Sequence, residues 1–149
     1  MEAHILLADA ASQDSSGKIH ALGLAWSKTT TPLPPQAVVL LVKVPWDQAN
    51  RKHRFEVELV DADGHSVMTQ GPVGEQPIKV AGEFESGRPP GLPAGTPLDV
   101  ALTFNIGGGL PLSPGRYTWN LKINGAAEEG WSTSFLVREP SKPMDRPGP

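Results

Sequence analysis

The chain has 149 residues, of which 38% are apolar, it contains no cysteine, and its formal net charge is −3. This length suits one globular domain with its own core, and the lack of cysteine excludes disulfide frameworks, thiolate metal sites and cysteine nucleophiles. The acidic balance argues against nucleic acid as a partner, because a duplex-binding surface needs clustered lysine and arginine to displace counterions from phosphates.

The N-terminus and the apolar runs predict neither an export signal nor a membrane span. Glu2 is acidic and no basic segment precedes the first apolar residues, which is unlike a signal peptide. The longest apolar run, residues 37–42, is far shorter than the roughly 20 residues of a membrane helix. We therefore expect a soluble, cytoplasmic protein that does not bind a membrane.

Two N-terminal segments are predicted to form strands around a polar loop at residues 12–17. If they pair as a hairpin about that loop, His4 faces about Leu24 and His20 lies far from His4 along the ladder. Asp9 alternates in phase with apolar neighbours, so this pattern turns its carboxylate inward, either as a structural hydrogen-bond acceptor or as a ligand contact. The sequence leaves these two roles of Asp9 open.

The middle of the chain combines a proline-rich connection, an apolar strand and one short turn. TTTPLPP (residues 29–35) is incompatible with a helix or a central strand. QAVVLLVKVP (residues 36–45) is apolar on both faces, as in a central strand or a covered edge strand. WDQANR (residues 46–51) is the only helical candidate and is one turn long at most.

The second half alternates apolar and polar residues with a period of two, which predicts strands with one buried face. The predicted inward residues are Phe55, Val57, Leu59, Ile78, Val80, Phe84, Leu98, Val100, Leu102, Phe104, Ile106, Tyr117, Trp119, Leu121, Ile123, Trp131, Thr133, Phe135 and Val137. Asn124-Gly125 and residues 61–64 carry the residue types of tight hairpin turns. The pattern predicts an all-β fold: a single antiparallel β-sandwich of about eight or nine strands, immunoglobulin-like or C2-like, with at most one helical turn.

The predicted sandwich domain covers residues 1–138, and a proline-rich segment at residues 139–149 is expected to be a disordered tail. Inside the domain, residues 84–100 contain Arg88-Pro89-Pro90 and a PxxP spacing, which is typical of polyproline II ligands. The same residues lie between two predicted strands, too close to them to extend freely. We therefore favour a connection that crosses between the two sheets over a ligand segment.

Patterns that suggest catalysis or metal binding have simpler structural explanations. The histidines of each predicted hairpin lie too far apart to bind one zinc ion, and residues 61–72 lack the oxygen ligands of a calcium loop. The pairs Glu56/Glu58 and Glu83/Glu85 match the solvent face of a half-exposed strand. We expect no enzyme activity, no cofactor and no metal.

Two segments combine features of a binding surface. Trp46 offers an aromatic anchor beside the polar residues Asp47, Asn50 and Arg51. Arg88, Pro89 and Pro90 offer a rigid loop. An alternative role for Trp46 is to cap the core. The sequence thus predicts a non-catalytic interaction or scaffold module that binds another protein or a second copy as a homodimer, with a small-ligand or carbohydrate-binding sandwich as the alternative.

A resemblance extends over about residues 3–137 and is carried by LLADAA, LGLAWS, VPWDQANR, ELVDADG, GEFESGRPPGLPAGTPLDV and PLSPGRYTWNLKING. These segments resemble an uncharacterised family of small bacterial β-sandwich proteins of unknown function. VPWDQANR and GRPPG are the most specific of them. The resemblance implies a fold and assigns no reaction or functional residue to any position.

Overall fold

The computed structural model describes residues 1–140 and is built of short strands with one 3-10 turn at Trp46–Gln48. Residues 141–149, most of the predicted tail, lie outside the described part. The strands are β1 (Glu2–Ala8), β2 (Ala10–Gln13), β3 (Ile19–Leu22), β4 (Lys28–Thr30), β5 (Gln36–Val44), β6 (His53–Val60), β7 (Met68–Gly71), β8 (Gly74–Pro77), β9 (Lys79–Phe84), β10 (Leu98–Ile106), β11 (Gly115–Ile123) and β12 (Ser132–Arg138). The predicted all-β class is confirmed, and the strands of residues 1–140 are more numerous than expected.

Two larger sheets carry most of these strands. One has the order β1-β5-β10, and the other has the order β4-β12-β11-β6-β9. Neighbouring strands in both are antiparallel except β4 and β12, which are parallel. The pairs β2-β3 and β7-β8 form separate two-stranded hairpins.

The inner faces of the two larger sheets share one hydrophobic core. Trp119 of β11 is fully buried at its centre, and its indole Nε1 donates to Gln36 Oε1 of β5 over 3.3 Å. Phe55 of β6 stacks on Phe104 of β10 with ring centroids 5.5 Å apart. These contacts join the sheets because the period-two pattern turns alternate side chains of each strand to the same side.

Strand β5 is apolar on both faces because both faces are covered. Its inner face contributes to the main core, and the β2-β3 hairpin packs on its outer face. A small second cluster fills that outer contact and consists of Ala8, Ala11, Ala37 and Val39. The prediction of a central or covered strand is confirmed.

Turn chemistry places the hairpins as expected. Asn124 and Gly125 have φ values of 53° and 79°, the left-handed conformation that a tight two-residue hairpin needs. The Asp61 carboxylate Oδ1 accepts hydrogen bonds from the amides of Asp63 (2.9 Å) and His65 (3.0 Å), which closes the other turn.

The N-terminal hairpin differs from the prediction. The chain bends at Asp9, so β1 pairs with β5, and His4 faces Leu41 rather than Leu24. Only the short β2 and β3 form a hairpin, in which His20 faces Ser12. Asp9 is exposed at the bend, so the inward orientation predicted for it was wrong. That prediction extended the alternation of β1 to Asp9, but β1 ends at Ala8.

Residues 85–97 form the connection between the two larger sheets. They follow β9 at the edge of the five-stranded sheet and lead into β10 at the edge of the three-stranded sheet. The interpretation of this proline-rich stretch as a sheet-crossing loop is confirmed.

Candidate functional site

The two segments predicted to bind a partner meet at one end of the molecule. The 3-10 turn at Trp46–Gln48 follows β5, and Arg88 lies in the loop between the sheets. Arg88 donates hydrogen bonds from Nε (3.1 Å) and Nη2 (2.7 Å) to the Trp46 carbonyl oxygen. Its guanidinium carbon lies 4.9 Å from the centroid of the Trp46 ring. A planar guanidinium makes both contacts at once, so Arg88 connects the turn to the loop.

A second connection runs between the same segments. Asn50 has a φ of 58°, and its backbone amide donates to the Ser86 carbonyl over 2.8 Å. Asparagine tolerates this left-handed conformation better than most residues. Arg51 Nη2 donates to the Asp47 carbonyl over 3.0 Å, which joins the two ends of the turn. The turn and the loop are therefore held by backbone and side-chain contacts together.

The exposure of these residues fits a binding surface. Asp47, Asn50, Arg51, Arg88, Pro89 and Pro90 are exposed, whereas Trp46 is half-buried. Trp46 also packs against the main core, so its predicted capping role describes part of what the side chain does. We call these seven residues the Trp46–Arg88 surface. Pro89 and Pro90 are included because they follow Arg88 in the loop, and neither takes part in the hydrogen bonds that join the loop to the Trp46 turn.

A groove of about 620 Å³ borders Trp46. Its lining is Met1, Glu2, Lys43, Pro45, Trp46, Asp47, Gly95 and Pro97. Met1, Pro45 and Trp46 are half-buried and form its apolar floor, whereas Glu2, Lys43 and Asp47 are exposed and form its charged rim. Sequence reasoning missed Met1 and Pro97 because they are distant in sequence, and only the pairing of β1 and β10 with β5 brings them to Trp46.

Lys43 at the rim is held by Asp99 of the neighbouring β10. The Lys43 ammonium donates a short hydrogen bond to the Asp99 carboxylate. This hydrogen bond, and then the charge of Asp99, raise the pKa of the Lys43 side chain. The register that sets Asp99 opposite Lys43 explains the pair. Lys43 therefore keeps its positive charge to a higher pH than an isolated lysine does.

His53 holds the 3-10 turn at Trp46–Gln48 in place through a hydrogen bond to its backbone. It is 3% exposed and stacks on Phe84 with centroids 5.3 Å apart. Its Nε2 donates to the Gln48 carbonyl over 2.9 Å, and its Nδ1 accepts from Asn124 Nδ2 over 3.0 Å. Since a carbonyl can only accept, this arrangement fits the neutral tautomer with hydrogen on Nε2. Its position in phase with Phe55 on β6 is the sequence signal for its burial.

Comparison with known protein families bears on this site. A model described as a family of unknown function (DUF6941) matches residues 3–138. The chain belongs to this family. The predicted resemblance to an uncharacterised family is thereby confirmed. No curated protein matches the sequence significantly.

The function of this family is unknown, so the candidate functional residues of this chain are identified from its own structure. The Trp46–Arg88 surface lies inside the matched range, and so does the lining of the groove apart from Met1 and Glu2. Within residues 1–140 no helix has the length and apolar character needed to cross a membrane. The cytoplasmic location and the bacterial origin stay predictions.

Two of the carboxylates considered for catalysis, Glu56 and Glu58, take part in contacts of the sheet. Glu56 lies 3.5 Å from the ammonium of Lys79 and 3.9 Å from the guanidinium of Arg54. Glu58 accepts a short hydrogen bond from the Ser66 hydroxyl. Among the contacts of residues 1–140, none joins Asp9 to a histidine or to a glutamate.

Asp61, Asp63 and His65 bring their ligand atoms within 4.8 Å of one another. The turn itself explains this proximity, because Asp61 Oδ1 already accepts two backbone amides of the same turn. The predicted interpretation of these residues as a hairpin turn agrees with this geometry.

Proposed function

We propose that this protein is a non-catalytic interaction or scaffold module, with the layers of an immunoglobulin-like or C2-like sandwich, that binds another protein through the Trp46–Arg88 surface. The single observation that carries the proposal is the contact of Arg88 with the ring and the carbonyl of Trp46. It joins the turn between β5 and β6 to the loop between β9 and β10, and both of these segments cross between the two larger sheets.

Preorganisation is the physical reason why this contact favours binding. A loop that must be ordered on association costs about 0.5–1.5 kcal/mol for each immobilised long side chain. Arg88 is already fixed by two hydrogen bonds and by stacking, and Asn50 holds the neighbouring backbone. A partner would therefore meet an ordered tryptophan and arginine, the residue types most enriched at interface hot spots.

The groove beside Trp46 supplies the shape for an anchor side chain of the partner. Its floor is apolar, and Glu2, Lys43 and Asp47 at the rim can pair with polar groups of a partner. This arrangement of an apolar centre and a charged rim is the common anatomy of protein–protein interfaces.

The proposal is tested by affinity capture from an extract of the source cells, followed by measurement of the affinity of each captured protein. We expect a partner that binds the unmodified protein and loses binding with Arg88→Ala and with Arg88→Lys, because lysine cannot make the paired, stacked contact. Val73→Ala is the matched control, since Val73 is 94% exposed on the β7-β8 hairpin. Equal binding of all partners to the Arg88 variants would contradict the proposal.

A small carbohydrate is the second candidate ligand, because Trp46 lines a concave groove with carboxylates at its rim. A sugar ring stacks on an indole while its hydroxyl groups bond to carboxylates. Titration with a panel of methyl glycosides, followed through the indole N–H signal of Trp46 in NMR spectra, tests this function. A saturable shift of that signal with one sugar would favour the carbohydrate ligand, and an unchanged spectrum with the whole panel would exclude those sugars.

A further inference from the structure

Strand β9 ends the five-stranded sheet, and its outer edge has no neighbouring strand within residues 1–140. The Leu59 amide donates to the Ile78 carbonyl over 3.0 Å, in register with the β6-β9 pairing. Hydrogen-bonded pairs alternate along an antiparallel ladder, so the backbone groups of Val80 and Gly82 point toward β6. The backbone groups of Lys79, Ala81 and Glu83 therefore point outward from the sheet.

We propose that this edge pairs antiparallel with β9 of a second copy of the chain, about a two-fold axis at Ala81. The proposal concerns a different part of the molecule from the Trp46–Arg88 surface and does not rest on it. Pairing at Ala81 joins the two five-stranded sheets into one. It supplies about six hydrogen bonds between the chains, two at each of the paired positions.

Charge complementarity identifies the second copy as the partner. An antiparallel pair centred on Ala81 places Lys79 directly opposite Glu83 of the second copy, and the two-fold axis repeats this pair. Both side chains lie on the exposed outer face of the sheet. Glu83 makes no ion pair with any residue of the described part of the chain, whereas Lys79 lies 3.5 Å from Glu56 of β6, so Glu83 of the second copy joins Lys79 as a second carboxylate. Opposite charges at facing positions stabilise a strand pair, whereas a charged edge opposes pairing with an unrelated strand.

On the inner face this register pairs a valine with a glycine. The same register sets Val80 opposite Gly82 of the second copy, at a closely spaced pair without hydrogen bonds. Gly82 has the Phe55 ring beside it, and a Cβ there would lie 3.0 Å from that ring. The ring therefore occupies the space that a side chain at position 82 would take, and Val80 of the second copy faces a glycine that is covered by this ring.

The extent of the pairing is bounded. The next outward residue after Glu83 is Glu85, and its opposite residue is Pro77, which has no amide hydrogen. A ladder of this length buries less surface than a standard interface, so we expect association in the micromolar range rather than an obligate dimer.

Light scattering and sedimentation over a concentration series from about 1 μM to about 1 mM test the proposal. We expect reversible dimers of the unmodified protein. Lys79→Glu places glutamate opposite Glu83, and Glu83→Lys places lysine opposite Lys79. Each variant opposes like charges at two symmetric positions and should weaken dimerisation roughly tenfold or more.

Mixing the two single variants provides the decisive comparison. In the mixed dimer both facing pairs are opposite in charge, so association should return when the two weak variants are combined. The double variant Lys79→Glu/Glu83→Lys restores complementarity between two identical copies and should dimerise again, although within each chain it sets a glutamate opposite Glu58 and a lysine opposite Arg54. Circular dichroism and thermal unfolding of each variant show whether the fold is retained.

Amide hydrogen exchange gives a readout that needs no substitution. The amides of Lys79, Ala81 and Glu83 should exchange more slowly at high protein concentration than at low concentration. A monomer throughout the concentration range, single variants that dimerise as the unmodified protein does, or a mixture that stays monomeric would each overturn the proposal.

Discussion

Replacing His53 by alanine removes the side chain that joins the Trp46 turn to the hairpin at Asn124. The imidazole is 3% exposed and bonds the Gln48 carbonyl on one side and the Asn124 amide on the other. Asn124 Oδ1 accepts the backbone amide of Arg54 over 3.0 Å, so its amide nitrogen is oriented toward His53. In the His53→Ala variant the Gln48 carbonyl and the Asn124 side-chain amide both lose their hydrogen-bond partner.

The structure sets the size of the effect. Each hydrogen bond contributes about 1 kcal/mol net, and a buried polar group left without its partner costs about 1–3 kcal/mol. The stacking on Phe84 adds about 0.5–1.5 kcal/mol. Because water entering the space satisfies some of the released groups, we expect His53→Ala to lower the free energy of unfolding by about 2–4 kcal/mol.

Urea unfolding followed by tryptophan fluorescence measures this free energy, and the slope with urea concentration should stay unchanged. His65→Ala is the matched control: His65 is exposed, and its contact with Asp61 uses the backbone amide that alanine retains. The control should change stability by less than about 0.5 kcal/mol. A His53→Ala protein as stable as the His65→Ala protein would refute the reasoning.

Two further predictions concern a turn and a titrating group. Gly125→Val should lower the free energy of unfolding by about 1–2 kcal/mol, because Gly125 has a φ of 79° that a β-branched residue rarely adopts. Gly107→Val is the control, since position 107 has equally open space and no positive φ. An equal loss of unfolding free energy in the two variants would contradict the explanation. The pKa of the Asp14 carboxyl lies below its ordinary value of 3.8, owing first to the hydrogen bond from the Ser16 hydroxyl and then to that from the His20 ring. A lowered folded-state pKa stabilises the protein above pH 3.8, and that contribution is lost as pH falls through the lower value. An NMR titration should therefore find the Asp14 carboxyl still ionised at the pH where an unperturbed aspartate is half protonated. In a Ser16→Ala variant the Asp14 carboxyl should titrate closer to its ordinary pKa, and identical titrations of the two proteins would contradict the assigned cause.

The composition of the candidate surface was predictable from sequence, but its assembly was not. Trp46 beside polar residues and Arg88 beside prolines each have the residue types of a binding loop. Their contact depends on a crossing between sheets that brings together residues 42 positions apart. Likewise, only strand pairing brings Asp99 to Lys43 and places Met1 and Pro97 beside Trp46, so these residues were found in the structure alone. The burial of His53 had a signal in the sequence, because this residue is in phase with Phe55.

Alternation along the chain by itself determined which residues face the core, and turn residues determined where the chain reverses. Tyr117, Trp119, Leu121 and Ile123 are buried as their spacing of two predicts. The tertiary structure alone decided which strands are neighbours: β1 pairs with β5, β4 lies parallel to β12, and Asp9 stands exposed at a bend. The physical reason is that side-chain periodicity specifies a face, whereas backbone hydrogen bonds are chemically alike in every strand and leave the choice of neighbour to the packing of the whole core.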